Sequence, residues 1–550
     1  MFLPQLVLTS CGRSAFYDSN LFHCVVCRKW PYPAFTLRPL EIAMKRVAGT
    51  FIPPLAINRS GGAPMHRQIF DWFQNAIAEG RLRPGCRVPS SRGLAGELGT
   101  SRIPVVNAYE QLHAEGYFET FAGVGTRVAR SIPSGSFSQG KAGAPKTAGR
   151  YASIPVPRDL STRGLSWAAG RSCPWLETTG PFRVSLPALD HFPVNIWSKL
   201  VSRHTKAVTR SMLAYGAAIG YQPLREAIAE YVSAARGVRC VAAQVLVTTG
   251  SQQGLQIASQ VLLNPRDQVC MEDPGYPGAR QAFEITGAEI VPIRVDAQGI
   301  SVSELSRRGQ RAKAVYVTPS HQYPMGMSMS AARRMELLAW AARNGTWIIE
   351  DDYDSEYRYD SRPIAALQGL DRNERVLYMG TFSKVMFPSL RLGYLVLPLD
   401  LVEACSAAKD ALDIFSPALN QAVMAEFIRD GHFARHLRRM RMLYMERRKA
   451  LVSALNSRLR DSLEIVGAEA GLHLLALLRL SVDDDALARE AALRGLSVMP
   501  LSSCRIVSDP QGGLVLGYGG LEARKASEGV RKLHECLSKI QGGKTVRHWQ

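Results

Sequence analysis

An α/β fold with a largely parallel sheet, preceded by a small helical module ending in a β-hairpin, is the architecture this 550-residue sequence predicts. Three observations predict it. From about residue 166 onward, helical patterns alternate with short apolar runs such as Gln244–Val247, Ala314–Val317, Trp347–Glu350 and Val376–Met379, the rhythm of helices crossing between parallel strands. Between residues 51 and 130, three helical patterns precede two β-patterned runs separated by glycine. Between these modules, residues 131–165 are rich in Gly, Ser, Pro, Lys and Arg and read as a flexible, solvated linker. The expected divisions are therefore an extension (1–50), a small module (51–130), a linker (131–165) and a large module (166–550). A chain this long exceeds what one hydrophobic core supports, so several domains are required in any case.

Residues 1–50 show no sustained periodicity, and are expected to be disordered or never translated, with initiation at Met44 just before the first patterned segment. Cys24 and Cys27 form one close pair without a second, so no metal site is expected. The stretch ending at Cys11 looks like a lipoprotein cleavage site but lacks a basic leader, which argues against export. Ten scattered cysteines fit reduced thiols in the cytoplasm. No run of 18 apolar residues occurs, so no membrane span is expected. An apolar fraction of 46% with 21% charged residues excludes disorder over most of the chain.

The unusual quantity is charge. Lys and Arg number 67 against 47 Asp and Glu, a net of +20, which points to a polyanionic partner. The surplus is +4 in residues 1–50, +3 in 51–130, +4 in 131–165 and +9 in the remaining 385, so the first 165 positions are the more basic per residue. The polyanion is expected to meet the N-terminal third.

In the small module, Gln68–Glu79 places Ile69, Phe73 and Ile77 on one face and Gly80 ends the helix. Ser90 precedes a short helix, Ser91–Leu98, closed by Gly99. Ser101 is placed to N-cap a third helix running to Ala114, with Val105, Tyr109 and Leu112 on its inner face. Pro104 falls in that helix's first turn, where a missing N–H is tolerated. Tyr117–Phe121 and Thr126–Ala129 then flank Ala122-Gly123-Val124-Gly125, a hairpin with a glycine-rich turn. Three helices and a hairpin in this order make a winged helix-turn-helix, which seats its third helix in a DNA major groove. Arg92, Ser101, Arg102 and Asn107 are the polar groups on the presenting side, suited to phosphates and base edges. On pattern alone a helical protein-interaction domain stays open.

The runs Pro64-Met-His-Arg-Gln-Ile-Phe, Gly80-Arg-Leu-Arg-Pro-Gly, Pro89-Ser-Ser-Arg-Gly-Leu-Ala, Leu98-Gly-Thr-Ser-Arg and Tyr109-Glu-Gln-Leu-His-Ala-Glu-Gly-Tyr closely resemble the GntR family of bacterial repressors and activators. The resemblance implies binding to double-stranded DNA. Ile103-Pro104 replaces the usual polar pair at the start of the recognition helix, so the family's base preferences do not carry over.

Four segments of the large module carry chemistry. Thr248-Thr-Gly-Ser-Gln-Gln-Gly-Leu follows a strand and opens a helix, an arrangement whose free backbone N–H groups suit a phosphate. In Glu272-Asp-Pro-Gly-Tyr-Pro, Tyr276 is held by prolines and free to stack on a planar ring. Ile349-Glu-Asp-Asp-Tyr-Asp puts acids at a strand's carboxyl end, where α/β proteins bind ligands. Gly380-Thr-Phe-Ser-Lys-Val-Met-Phe-Pro-Ser-Leu-Arg sets an amine seven residues before an anion-binding group. Singly, each also reads as a capped helix, a turn, a sheet edge or a surface lysine. Together and in this order they form the constellation an aldehyde cofactor needs: a lysine for a Schiff base, an acid against a ring nitrogen, and donors for a phosphate.

Over residues 180–545 the module resembles the fold-type I aminotransferase superfamily, which implies pyridoxal 5′-phosphate as cofactor. The resemblance implies that Lys384 carries the Schiff base, Asp351 pairs with the pyridinium nitrogen, and Tyr353 bonds the phenolic oxygen. It implies Tyr276 stacked on the ring, and Ser251, Gln252, Thr381, Ser383 and Arg391 around the phosphate. Tyr215, in Tyr-Gly-Ala-Ala-Ile-Gly-Tyr-Gln-Pro-Leu-Arg, matches a tyrosine that reaches the phosphate of the partner subunit, which implies a homodimer. Joined to the GntR-type module, and with Thr318-Pro-Ser-His-Gln-Tyr-Pro-Met-Gly and Glu350-Asp-Asp-Tyr-Asp-Ser-Glu-Tyr, the whole is similar to the MocR/GabR subfamily of transcription regulators. The subfamily implies a bacterial cytoplasmic protein, at the nucleoid when bound to DNA.

Two positions depart from a working aminotransferase. Tyr323 stands where those enzymes place an Asn against the phenolic oxygen, which leaves His321 or Gln322 to contribute. In Gly513-Leu-Val-Leu-Gly-Tyr-Gly, Val515 stands near the Arg that clamps a substrate carboxylate bidentately, and no Arg lies between Arg505 and Arg524. The expectation is a regulator whose cofactor domain senses a small amine, an amino compound or the cofactor itself. The alternative is an active aminotransferase with an accessory DNA module.

Overall fold

A computed structural model of the chain describes residues 55–130 apart from 56, 59–62 and 122–124, residues 161, 164 and 165, and residues 179–545 apart from 360–364 and 480–481. The expected extension, nearly all of the expected linker and the turn at Ala122, Gly123 and Val124 lie outside the described residues. Two compact units divide between Ser153 and Ile154.

The first unit is built on three helices, α1 (Met65–Ala78), α2 (Ser91–Glu97) and α3 (Arg102–Ala114). Helix α1 begins three residues ahead of the expected start, because the Pro64 carbonyl already accepts the amides of Arg67 and Gln68. Its apolar stripe is Ile69, Phe70, Phe73, Ala76 and Ile77, all buried. The Ser90 hydroxyl caps α2 by accepting Gly93 N at 3.1 Å. Ser101 holds the N-cap position of α3 but its hydroxyl makes no cap bond; Pro104, at the third helical position, lacks the amide such a hydroxyl takes. Strands β1 (Phe118–Phe121) and β2 (Gly125–Val128) pair antiparallel, with Phe118 opposite Val128. The helices and hairpin meet at Phe73, whose ring takes Tyr109 and Phe118 edge-on at 5.6 and 5.3 Å.

The second unit holds an eight-stranded mixed sheet in the order β3-β10-β9-β8-β7-β4-β5-β6. Its members are β3 (Val245–Thr248), β4 (Gln268–Asp273), β5 (Glu289–Asp296), β6 (Gly299–Ile300), β7 (Ala312–Val317), β8 (Trp347–Asp352), β9 (Val376–Thr381) and β10 (Gly393–Val396). Strands β9, β8, β7, β4 and β5 run parallel, and β10 is antiparallel to both of its neighbours. Residues alternate between two apolar layers, so Leu246, Tyr316, Leu377 and Met379 pack on one side while Val247, Tyr378 and Val396 pack on the other. Helices cover both faces, as a parallel sheet of such apolar strands requires. A second sheet, antiparallel and four-stranded, is ordered β11 (Leu463–Val466), β12 (His473–Leu478), β14 (Gly513–Gly517) and β13 (Met499–Pro500).

Candidate functional site

The carboxyl ends of β4, β7, β8 and β9 open onto one cavity of about 280 Å³. Parallel strands point their free carboxyl ends the same way, and the loops that follow converge there. Nine residues singled out in the sequence line this cavity: Ser251, Gln252, Tyr276, Asp351, Tyr353, Thr381, Ser383, Lys384 and Arg391.

One end is an anion cradle. Helix Ser251–Leu262 starts after Gly250, and no side chain caps it, so its first amides are free for a ligand. Gly250 has φ +121, and a Cβ there would fall 2.8 Å from Arg391 Nη2, so only glycine lets the guanidinium lie against this turn. Arg391 itself sits at φ +51, a left-handed conformation that costs a non-glycine residue about 1–3 kcal/mol. The Thr381 hydroxyl accepts Ser383 N at 3.1 Å and fixes the turn that carries Lys384.

The floor is acidic. Pleating turns Glu350 and Asp352 away from Asp351. Glu350 accepts the amides of Leu367 and Gln368, and Asp352 takes Arg236 Nε at 2.8 Å and the Tyr378 hydroxyl at 2.6 Å. These two acids are structural. Asp351 alone faces the cavity, where Tyr316 donates its hydroxyl to Oδ2 at 2.7 Å. Asp351 Oδ1 is buried without a partner. Burial, opposed by the Tyr316 hydrogen bond and by Lys384, pushes the Asp351 carboxyl up to about 7. Lys384 Nζ lies 3.4 Å from the Ser185 carbonyl. Burial lowers its amine to about 8, against the pull of Asp354 and Asp351.

Tyr276 forms a wall, edge-on to Tyr323 at 5.5 Å. Its hydroxyl lies where a Cβ at Gly278 would come within 2.6 Å, so the small residue makes room for the ring. Gln252 spends its side-chain amide on the Gly278 carbonyl at 3.0 Å. Tyr353 places its hydroxyl 2.9 Å from His321 Nδ1.

The structure adds lining residues that the sequence does not single out. Arg183, Val184, Ser185 and Leu186 form a strap along the cavity, with Tyr316, Thr318 and Pro388; Tyr323, noted in the sequence at the position of an Asn, lines it too. Neither His321 nor Gln322, one or the other expected to contribute in place of the Asn, is a lining residue: Gln322 Nε2 is held by Glu272, the Pro274 carbonyl and the Tyr323 carbonyl. Tyr215 stands away from the cavity, 84% exposed, with its ring against Phe415. Val515 is buried with Val184, Tyr323, Leu475 and Met499, and of these Val184 and Tyr323 line the cavity.

In the first unit, Arg92, Ser101, Arg102 and Asn107 are all exposed. Arg102 Nε donates to the Ser91 hydroxyl at 3.1 Å, which ties the start of α3 to α2. Ile103, at the second position of α3, is 69% exposed.

Residues 66–128 match the bacterial regulatory proteins of the gntR family, and residues 189–514 match the class I and II aminotransferases. The chain is 38% identical to the probable rhizopine catabolism regulatory protein MocR of Rhizobium meliloti over 490 residues, 88% of this chain and 96% of that protein. It is 30% identical over 471 residues to the HTH-type pyridoxine biosynthesis transcriptional regulator PdxR of Corynebacterium glutamicum, 85% of this chain and 94% of that one. Among solved structures it is similar to LysN, the α-aminoadipate aminotransferase of Thermus thermophilus complexed with N-(5′-phosphopyridoxyl)-L-leucine, with a TM-score of 0.64 at 28% identity over 70% of this chain and 100% of that chain. These similarities indicate pyridoxal 5′-phosphate as the group for the cavity. The residues present fit it: an unpartnered buried carboxylate oxygen for a ring N–H, an uncapped helix end beside Arg391 for a phosphate, and a half-buried amine of lowered basicity for an aldehyde.

Proposed function

The chain belongs to the MocR kind of transcription regulator, a gntR-family DNA-binding module joined to an aminotransferase-like domain, and from that premise we propose that its cavity reads a small amine and passes the result to promoter binding. The observation that carries this reading is one cavity uniting Lys384, Asp351 and Arg391, with Val515, and no arginine of its strand, packed behind the lining residues Val184 and Tyr323.

When bound, the cofactor supplies an aldehyde that condenses reversibly with primary amines. This chain's residues prepare the site for that. Lys384, with its amine lowered to about 8, is partly unprotonated near neutral pH and so able to attack. Asp351 offers Oδ1 to the ring nitrogen, and ionisation of its carboxyl balances the ring's charge. Tyr276 covers the ring. The helix end at Ser251, with Thr381, Ser383 and Arg391, holds the phosphate; Gln252 shapes this end through Gly278. Tyr353 presents its hydroxyl to the phenolic oxygen.

The effector is then an amine or amino compound, or the cofactor itself. Occupancy re-weights two arrangements of a homodimer, to which Tyr215, exposed on one protomer, contributes across the interface. The protein works in the cytoplasm; no described helix is long and apolar enough to cross a membrane. On the DNA side, Arg92, Ser101, Arg102 and Asn107 contact phosphates and bases.

A working aminotransferase is the second reading, favoured by the gathering of Lys384, Asp351, Tyr353, Tyr276 and Arg391 in one cavity. The buried Val515 argues against it, because an α-carboxylate finds no bidentate arginine on that strand. Purified protein separates the two. A visible spectral change with an amine, a change in promoter affinity and no steady release of keto acid supports regulation; steady turnover without promoter binding overturns it.

A further inference from the structure

Behind Tyr353, outside the residues that line the cavity, lies a buried polar chain. His321 Nδ1 stands 2.9 Å from the Tyr353 hydroxyl and 3.0 Å from Asp354 Oδ1. The side chains of His321 and Asp354 are 1% and 2% exposed. One nitrogen thus faces two oxygens, and it holds at most one proton. With that proton on Nδ1 it is directed at the carboxylate, the stronger acceptor, and shared with the phenol oxygen. The Tyr353 hydroxyl proton is then excluded from this side and turns to the cavity that Tyr353 lines.

The same pair is closed over by the four-stranded sheet. Asp354 Oδ2 accepts Leu472 N at 3.2 Å, just before β12. A Cβ at Gly471 would fall 2.2 Å from His321 Cε1 and 2.4 Å from Asp354 Oδ2, so only glycine admits this approach. Gly471 is held in place by hydroxyls of Tyr359 and Tyr518, each 2.7 Å from its carbonyl. His473, the first residue of β12, stacks on Tyr353 with ring centroids 6.4 Å apart. Burial, with His321 beside it, lowers His473 to about 3, which leaves it a neutral neighbour.

We propose that His321 and Asp354 are positioning residues for the cofactor site: they aim the Tyr353 hydroxyl proton into the cavity and tie its placement to the four-stranded sheet. This rests on the reading that the cavity takes pyridoxal 5′-phosphate. A donor to the phenolic oxygen withdraws electron density and makes the nitrogen joined to Lys384 less basic. Loss of that donor therefore raises the pH at which the visible band titrates. The other titratable and charged groups that interact with the pair include Tyr323, Asp351, Tyr357, Arg358, Tyr359, Lys384, His473 and Tyr518, all retained in the variants, so a shift reports on the pair.

The experiment titrates the visible absorbance of full-length protein loaded with pyridoxal 5′-phosphate. The variants are His321→Phe, His321→Asn, Asp354→Asn, Tyr353→Phe and the double variant His321→Phe/Tyr353→Phe. His321→Phe is expected to raise the midpoint by about one pH unit, tenfold in the proton equilibrium, and Asp354→Asn by a smaller step in the same direction. His321→Asn, which keeps a donor near Nδ1, restores at least half of the shift. Added to Tyr353→Phe, the His321 change produces no further shift, the signature of action through Tyr353. A His321 shift that persists undiminished in the Tyr353→Phe background overturns the proposal, as does an unmoved midpoint in both His321→Phe and Asp354→Asn. A chelator or Zn²⁺ that moves the wild-type midpoint assigns the His321, Asp354 and His473 cluster to a metal and also overturns it. Wild-type protein that shows no visible band overturns the cofactor reading instead, so the two failures are distinct.

Discussion

The phenol of Tyr316 donates to one oxygen of Asp351 at 2.7 Å and leaves the other buried and unpartnered. The two residues sit on neighbouring strands, β7 and β8, where Tyr316 pairs with Ile349, two residues before Asp351. One oxygen is thus fixed and the other is offered to the cavity. In the proposed reading, a ring N–H would complete this carboxylate.

The proposed contact of Asp351 with the cofactor would link uptake to pH. Burial raises its carboxyl to about 7 in the protein alone. A carboxyl raised on folding stabilises the fold below its unfolded range near 4, and that contribution is lost as pH rises through about 7. The cofactor-free protein should lose more stability between pH 5 and 8 than Asp351→Asn does in thermal melts. Loading with pyridoxal 5′-phosphate should shrink this difference. A wild-type slope equal to that of Asp351→Asn contradicts the assignment.

Tyr316→Phe removes the hydrogen bond that favours the ionised carboxylate while keeping the ring. Cofactor affinity, read by fluorescence titration, should fall by about 1–2 kcal/mol, roughly five- to thirtyfold. Unchanged affinity would make Tyr316 a packing residue only.

Lys384→Ala should abolish the visible band of the bound cofactor and the response to amines, while basal DNA binding remains measurable. In the wild type, formation of that band should accelerate with rising pH and level off above about 8, where the amine is unprotonated. A persistent band in the variant would place the anchor on another lysine.

Gly250→Ala tests the phosphate cradle. The added methyl collides with Arg391 Nη2 at 2.8 Å and the backbone at φ +121 resists it. Affinity for pyridoxal 5′-phosphate should drop at least tenfold, whereas affinity for pyridoxal, which lacks the phosphate, should change little. An equal loss for both would move the defect to the ring.

On the small module, Arg102→Ala should cost promoter affinity about 1–3 kcal/mol if the guanidinium reads a base, and should reduce the salt dependence if it meets a phosphate. Fluorescence anisotropy across salt concentrations distinguishes these. No change in either removes Arg102 from the DNA face.

Much of this site is legible in the sequence because its chemistry sits in short runs at strand ends. Gly250-Ser251, Asp351-Asp352-Tyr353 and Ser383-Lys384 each carry their meaning within a few residues, and all line the cavity except Gly250 and Asp352, which support Arg391 and Arg236. The partner of Asp351 is not legible. Tyr316 lies 35 residues away, and only the β7–β8 register brings it alongside. The strap at Arg183–Leu186 escapes a sequence reading for the same reason: it reaches the cavity by packing on β14, where Gly517 accepts its close approach. Strand β8 runs two residues past its expected end at Glu350. Glu350 and Asp352 are held by the amides at Leu367 and Gln368 and by Arg236 and Tyr378, none of them local. His321, one of two residues expected to contribute in place of the Asn, stands behind Tyr353 with Nδ1 2.9 Å from its hydroxyl.

The proposed control of DNA binding by amine occupancy of the Lys384 cavity is read by promoter affinity of the full-length, cofactor-loaded protein with and without amine. Anisotropy on a DNA fragment from the chain's own upstream region, screened against a panel of amines, should show at least a fivefold change for one of them, about 1 kcal/mol of coupling. That change should vanish in Lys384→Ala. An amine that alters the visible spectrum and is turned over steadily, with DNA affinity the same in its presence and absence, would contradict the account.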